Sequence, residues 1–194
     1  MGDLKYQRTV VGYHGCDESV LRDVLLRGKR LKPSENNYDW LGNGIYFWEH
    51  GPQRAHEWSQ FSKKLKNPAV MGAHINLGFC FDLLDITYTQ LLTDLFPLYR
   101  QASEEMGIPL PTNLSPRHRP SSELILRRLD CSAINWCLDF LEIERNQHFH
   151  TVRGLFSEGP PVFEGSKILA KSHIQIAVRD AAAILGYFKP QIDK

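Results

Sequence analysis

Three short stretches hold the residue types from which a ring-binding site can be built. "TVVGYHG" places His14 between Tyr13 and Gly15. "LGNGIYFW" sets Tyr46, Phe47 and Trp48 directly after a turn made of Gly42, Asn43 and Gly44. "KSHIQIAVRD" carries Gln175 on a strand-like alternation. A neutral imidazole and a carboxamide both give and take hydrogen bonds. An aromatic run after a glycine turn is either a strand entering a core or a platform on which a flat ligand ring stacks. Both readings stand at this point. Charge is available nearby in sequence from Arg54 at a helix start, and from Glu158 in "FSEGPP" and Glu164 in "FEGS", ahead of the Gln175 strand.

Positioning these groups takes strands at both ends of the chain. Residues 9–15 read as a short strand, and Asp17 as the cap of a helix with Leu21, Val24 and Leu25 on its apolar face and Gly28 as its stop. "GIYFW" reads as a second strand. A helix from Pro52 to about Leu65 follows, with Ala55, Trp58, Phe61 and Leu65 at helical spacing. Residues 70–85 read as one apolar strand, and 87–106 as a helix with an interruption at Pro97. Residues 107–120 read as a proline-rich loop. Residues 121–145 read as a helix whose stripe is Ile134, Cys137, Leu138 and Leu141. "HTVRGLF", "KSHIQIAVRD" and "AAAILGYF" return to strand. In the second of these, Ile174, Ile176 and Val178 share one face, and His173, Gln175, Ala177 and Arg179 the other. The pattern predicts an α+β fold in a single domain over residues 1–194, with a helical, proline-rich insertion at about 87–147.

Composition narrows the function classes. The chain has 194 residues, 42% hydrophobic and 23% charged, with a net charge of +1, so no global field gathers nucleic acid or acidic membrane. The four cysteines, Cys16, Cys80, Cys131 and Cys137, form no CxxC and read as small buried hydrophobes. No secretory h-region and no membrane-spanning run is legible, which predicts a cytoplasmic protein with reduced thiols and no membrane partner.

The ordered pair "YHG…GNGIYF" resembles the first two motifs of the ADP-ribosyltransferases, in the branch that holds diphtheria toxin and the poly(ADP-ribose) polymerases. His14-Gly15 matches the first motif and Gly42 to Phe47 the second, with Trp58 near the position of a second stacking aromatic. Gln175 falls where the third motif carries glutamate. The resemblance is good over residues 9–65, weak over about 162–188, and absent over about 79–160.

The resemblance implies a split β-sandwich of two small sheets with flanking helices, and NAD+ as substrate. It implies release of nicotinamide and transfer of ADP-ribose to a macromolecular acceptor, protein or nucleic acid. A small architecture of this kind suits a bacterial toxin or defence effector held by an antitoxin or inhibitor, by fold analogy. His14 would bond the adenosine ribose and the Gly15 backbone the carboxamide. Tyr46 would stack on one nicotinamide face, and Trp58 or Tyr13 on the other. Arg54 would meet the pyrophosphate. Gln175 keeps the hydrogen bond of the family glutamate to the ribose and loses its charge. A loop carboxylate, Glu158 ahead of Glu164, is expected to restore that charge.

Each residue also has a plainer role. His14 can be a satisfied strand histidine, Phe47 and Trp48 core, Trp58 part of the helical stripe, Arg54 a solvated helix arginine, and Arg153 a residue of a strand face. "HFH" at 148–150 lacks any further ligand pattern. Arg117, His118 and Arg119 make a basic loop. The rival functions are an NAD+ glycohydrolase, a non-catalytic NAD+ or ADP-ribose binding module, and RNA 2-phosphate transfer, which calls for more grouped arginines than the sequence offers.

Overall fold

A computed structural model describes residues 6–62, 65–115 and 124–192. The basic run Arg117, His118 and Arg119 lies outside the described residues. The chain alternates strand and helix as β1 (Tyr6–Asp17), α1 (Glu18–Arg27), β2 (Ile45–Glu49), α2 (Pro52–Phe61), β3 (Pro68–Gly78), β4 (Cys80–Asp82), α3 (Ile86–Glu105), α4 (Arg128–Arg145), β5 (Thr151–Phe156), β6 (His173–Val178) and, after a 3-10 turn at Ala181–Ala183, β7 (Ile184–Phe188).

Local chemistry sets the helix ends. The Asp17 carboxylate accepts from the Ser19 N–H, and Gly28, in the left-handed region at φ 64°, closes α1 by donating its N–H to Asp23. Pro52 sits in the first turn of α2, where its missing N–H costs nothing. Pro97 does not interrupt α3 as its sequence suggests. The helix is continuous from Ile86 to Glu105, anchored on the core by buried Tyr88 and Leu95. The last helix begins at Arg128, later than its periodicity suggests, because Leu126 is held in an antiparallel bridge to Leu114.

The expected strand over residues 70–85 is two strands. Gly78 adopts φ 56°, and the chain turns there. Its continuation, β4, lands at the far edge of the sheet, parallel to β5. The strand order is β4-β5-β6-β2-β1-β3-β7, with every pairing except β4–β5 antiparallel.

One hydrogen-bonded ladder therefore replaces the two separate sheets anticipated above. Its middle is thin: β1 and β2 share only the pairs Gly12↔Glu49 and Tyr13↔Trp48. The two halves still enclose a common core. Val10, Met71 and Ile75 from β1 and β3 cluster with Ile45, Phe47, Ile176 and Val178 from β2 and β6. Where β3 hands over to β4, the Thr151 hydroxyl donates to the Leu77 carbonyl at 2.7 Å. On the opposite surface of the ladder, α3 and α4 cover Phe81, Val152 and Phe156 with Tyr88, Leu95, Ile134, Leu138 and Leu141. There α2 covers Trp48 and Val70 with Ala55. The whole predicted α4 stripe is buried, and at about 1.5–3 kcal/mol per large apolar side chain it is a main anchor of the fold. All four cysteines are buried and free, and burial pushes the Cys80 and Cys137 thiols up to about 12.

A buried ionic cluster fastens the β4-β5-β6-β2 half of the ladder. The Arg153 guanidinium on β5 reaches Glu49 of β2 at 2.6 Å through Nε and Asp82 of β4 at 3.0 Å through Nη1. All three side chains are at most 7% exposed. Burial works against the Arg153 charge, but the bonds from Glu49 and Asp82 outweigh it and raise the guanidinium pKa. Arg153 thus does more than sit on a strand face: it joins β5 to β2 and β4 through buried ion pairs. Removing it leaves two carboxylates buried with no full partner. Arg153→Ala is expected to cost about 3–5 kcal/mol in urea unfolding. A loss under about 1 kcal/mol would show that water or Arg8 already satisfies Glu49 and Asp82.

Candidate functional site

The site begins where β1 and β2 part. In an antiparallel ladder, backbone N–H and C=O groups of alternate residues point to the same edge. The Val11 carbonyl accepts from His50 at 3.0 Å, and Tyr13 pairs with Trp48, so the β1 edge carrying Val11 and Tyr13 faces β2. Gly15 is next on that edge, and the ladder assigns it no β2 partner. Gly15 is buried. A Cβ there would lie 2.6 Å from the Ala55 carbonyl oxygen and 2.9 Å from the Trp58 ring. Glycine is thus required for α2 to seat against β1, and the Trp58 indole, still 47% exposed, rests on the Gly15 backbone.

His14 spans the opening of the fork. Its Nδ1 lies 2.8 Å from the Tyr46 carbonyl oxygen, which can only accept, so Nδ1 carries the proton. Burial lowers the pKa of the ring, against the Tyr46 bond, and the neutral imidazole keeps its Nε2 lone pair free. The strand alternation places His14 with Val10, Gly12 and Cys16, on the face that meets Phe47 at 5.6 Å. Tyr46 and Gln175 share the opposite face, since Trp48 pairs with Gln175 and Tyr46 with Ala177. His14 is therefore linked to Tyr46 through the backbone, and the three side chains do not line one common wall.

The Tyr46 hydroxyl answers the question posed by the glycine turn. It donates to the Gly42 carbonyl at 2.6 Å and accepts from the Leu41 N–H at 2.8 Å. Burial raises the phenol pKa. Gly42, at φ 77°, also abuts Asn135 of α4, where a Cβ would come within 2.5 Å of Oδ1, and that same oxygen accepts from the Asn43 N–H at 2.9 Å. The aromatic run divides: Phe47 enters the inner core, Tyr46 braces its own turn, and Trp48 faces α2.

Around Trp48 lies a compact polar cluster. The Trp48 ring is 5.9 Å from Trp58 and 6.5 Å from His173. Its Nε1–H is buried with no partner among the described residues, and so is the Arg54 Nε–H. Arg54 donates through Nη2 to Glu158 at 2.8 Å and through Nη1 to Glu57 at 2.8 Å. Glu158 also lies 3.8 Å from His173 Nδ1, and Gln175 Nε2 is 2.9 Å from His173 Nε2. The structure thus brings Gln175, Glu158, Arg54 and Trp58 together. Glu164 is exposed and takes no part in the cluster. Tyr13 packs at the border of the Trp48, Ala55 and Val70 cluster and meets Phe188 edge-on at 6.2 Å, while Trp58 is the aromatic that covers Gly15.

Two cavities adjoin the cluster. One, of about 890 Å³, runs between α3, α4 and β5 and is lined by Trp40, Leu92, Phe96, Ile134 and Phe156. A smaller one, of about 300 Å³, shares Trp40, Arg127 and Asp130 with it and is also lined by Glu158. Neither is lined by His14, Tyr46 or Gln175. Arg127 lies 4.2 Å over the Trp40 ring, and Trp40 lies near-parallel to His173 at 6.3 Å. Sequence reasoning missed Trp40, Arg127 and Asn135, because each acts across a long separation. His173 was visible as a neighbour of Gln175 on one strand face.

No protein-family model matches the chain. An uncharacterized protein of Methanocaldococcus jannaschii is 31% identical over 102 residues, which span 49% of this chain and 46% of that protein. The chain thus matches less than half the length of this relative. No helix among the described residues is long and apolar enough to cross a membrane.

The double bond made by the Tyr46 hydroxyl is testable by itself. Tyr46→Phe keeps the ring and leaves the Leu41 N–H and Gly42 C=O without their partner, for an expected loss of about 1–3 kcal/mol in urea unfolding. An unchanged midpoint would show that the hydroxyl does not hold the turn.

Proposed function

We propose that the chain is an NAD+-dependent ADP-ribosyltransferase. The observation that carries this reading is the fork: a buried Gly15 peptide edge with no ladder partner on its β2 side, covered by the Trp58 ring. A primary carboxamide complements such an edge, since its NH2 donates to a strand carbonyl and its oxygen accepts from a strand N–H. Nicotinamide carries that carboxamide on a flat ring, and an aromatic cover over the same backbone suits it.

The reaction asks for little proton chemistry and much electrostatic support. The bond between the ribose C1 and the nicotinamide nitrogen breaks, and its electron pair goes to the ring nitrogen as neutral nicotinamide leaves. The acceptor's nucleophile forms the new bond to C1 and gives up its proton. Positive charge develops on the ribose between these events. Gln175 can hold a ribose hydroxyl without adding charge. Glu158, tied to Arg54 and close to His173, is the carboxylate able to stabilise the cation and take the acceptor's proton. The orphan Trp48 and Arg54 N–H groups are donors suited to the oxygens of a dinucleotide.

The acceptor on this reading is a macromolecule. The test incubates the full chain with NAD+ labelled on the adenylate against separate protein, DNA and RNA pools, and follows nicotinamide release. Release with label entering one pool is expected. Glu158→Gln should slow release about a hundred-fold, and Glu164→Ala should leave it unchanged. Free ADP-ribose as the sole labelled product would make the chain a glycohydrolase. Bound NAD+ with no nicotinamide released would leave only a binding module.

A further inference from the structure

We propose that His173 is a positioning residue that fixes which end of the Gln175 carboxamide is presented to the substrate. The inference rests on the reading that Gln175 holds a ribose hydroxyl, and it adds the device that makes an amide serve in that place. An amide differs from a carboxylate in having two unlike ends. A glutamate presents an acceptor whichever way it rotates. A glutamine presents an acceptor in one rotamer and a donor in the other. A site built on glutamine must therefore choose.

His173 makes the choice through its tautomer. Its Nδ1 lies 2.7 Å from the Lys171 carbonyl oxygen, which has no proton to give, so Nδ1 is the protonated nitrogen. The neutral ring then has only a lone pair at Nε2, and the Gln175 group 2.9 Å away must be the NH2. The amide oxygen consequently points away from His173, and no described residue bonds it. The ring itself is packed among Trp40, Trp48 and Phe156, so it cannot swing off to release the amide.

The arrangement depends on the ring being neutral. Burial is the main influence and holds the His173 pKa below its ordinary value. The Lys171 carbonyl and Glu158 act against burial, and Arg54 and Arg127 act with it. Of these groups, Arg54 lies on α2, Arg127 just before α4, Glu158 after β5 and the Lys171 carbonyl before β6. As the pH falls through the lowered pKa, Nε2 gains a proton and becomes a donor. The Gln175 oxygen must then turn toward it, and the NH2 faces the substrate. Activity should therefore be lost on the acid side, below the ordinary histidine range. Gln175→Glu should not need His173 for orientation, because both carboxylate oxygens accept.

The experiment has two arms. In the first, 15N NMR of the full chain reads the His173 tautomer and the coupling across the hydrogen bond between Gln175 Nε2 and His173 Nε2. An Nδ1–H ring coupled to the amide nitrogen is expected. An Nε2–H ring would overturn the proposal whether or not the protein turns over NAD+. In the second, nicotinamide release is compared for the natural chain, His173→Leu, His173→Asn, Gln175→Glu and His173→Leu combined with Gln175→Glu. His173→Leu should lower kcat/KM on the order of ten-fold. His173→Asn, whose carbonyl can accept from the amide, should restore it and remove the acid limb. In the Gln175→Glu background, His173→Leu should change nothing. An equal loss from His173→Leu in both backgrounds would mean that the residue only supports the fold. No release from the natural chain would instead refute the transferase reading and leave the tautomer result to judge the proposal.

Discussion

The two residue pairs between β1 and β2 are the constraint on which the rest depends. Gly12 and Tyr13 hold the halves of the ladder together, and after Tyr13 the strands diverge. Had the pairing run on, Gly15 would have bonded to β2 and closed the fork. It stops because the β1 segment from His14 onward belongs to β3 and α2. His14 to Asp17 pair continuously with Met71 to Pro68, and the absence of a side chain at Gly15 lets Ala55 and Trp58 press against the backbone. His14 then ties the diverging strands by bonding the Tyr46 carbonyl through its ring. The same close approach that seats a helix leaves a peptide edge beneath an exposed indole.

Two arginines show how charge is divided between fold and site. Arg153 is enclosed, meets two buried carboxylates and links β5 to β4 and β2. A pair so deeply buried gains little net energy, but it is costly to break, which makes it a device for holding register. Arg54 has looser terms. It shares its guanidinium between Glu57 and Glu158, each of which retains access to solvent, and its Nε–H is left over. Removing a carboxylate from Arg54 to a ligand costs less than removing one from Arg153. The balance leaves Glu158 more loosely held than the enclosed Glu49.

Much of this was legible in the sequence wherever the signal is local. The Asp17 cap, the Gly28 stop and the Ile134–Leu141 stripe each depend on neighbours within a few residues, and each stands as read. Gln175 shares its strand face with His173, as the alternation indicates, and Glu158, expected from a loop ahead of the strand, lies 3.8 Å from that histidine. What failed is what depends on distant pairing. Nothing local says that β4 crosses to the far edge after Gly78, that the halves form one ladder, or that Asn135 clamps the turn at Asn43 from ninety-two residues away. The face of His14 was open to inspection. Val10, Gly12 and Cys16 alternate with it on the inward side, and that pattern outweighs a motif when the direction of a side chain is at stake.

On the proposed reading the Gly15 edge that lacks a β2 partner receives a flat carboxamide-bearing ring, and the backbone amide of Gly15 reports on it directly. Titrating the 15N-labelled chain with nicotinamide and then with NAD+ should shift the Gly15 amide resonance saturably for both, with the Trp58 indole N–H moving alongside. Saturable shifts confined to residues lining the cavity between α3 and α4, with Gly15 and Trp58 unmoved, would place the ligand elsewhere and contradict the account.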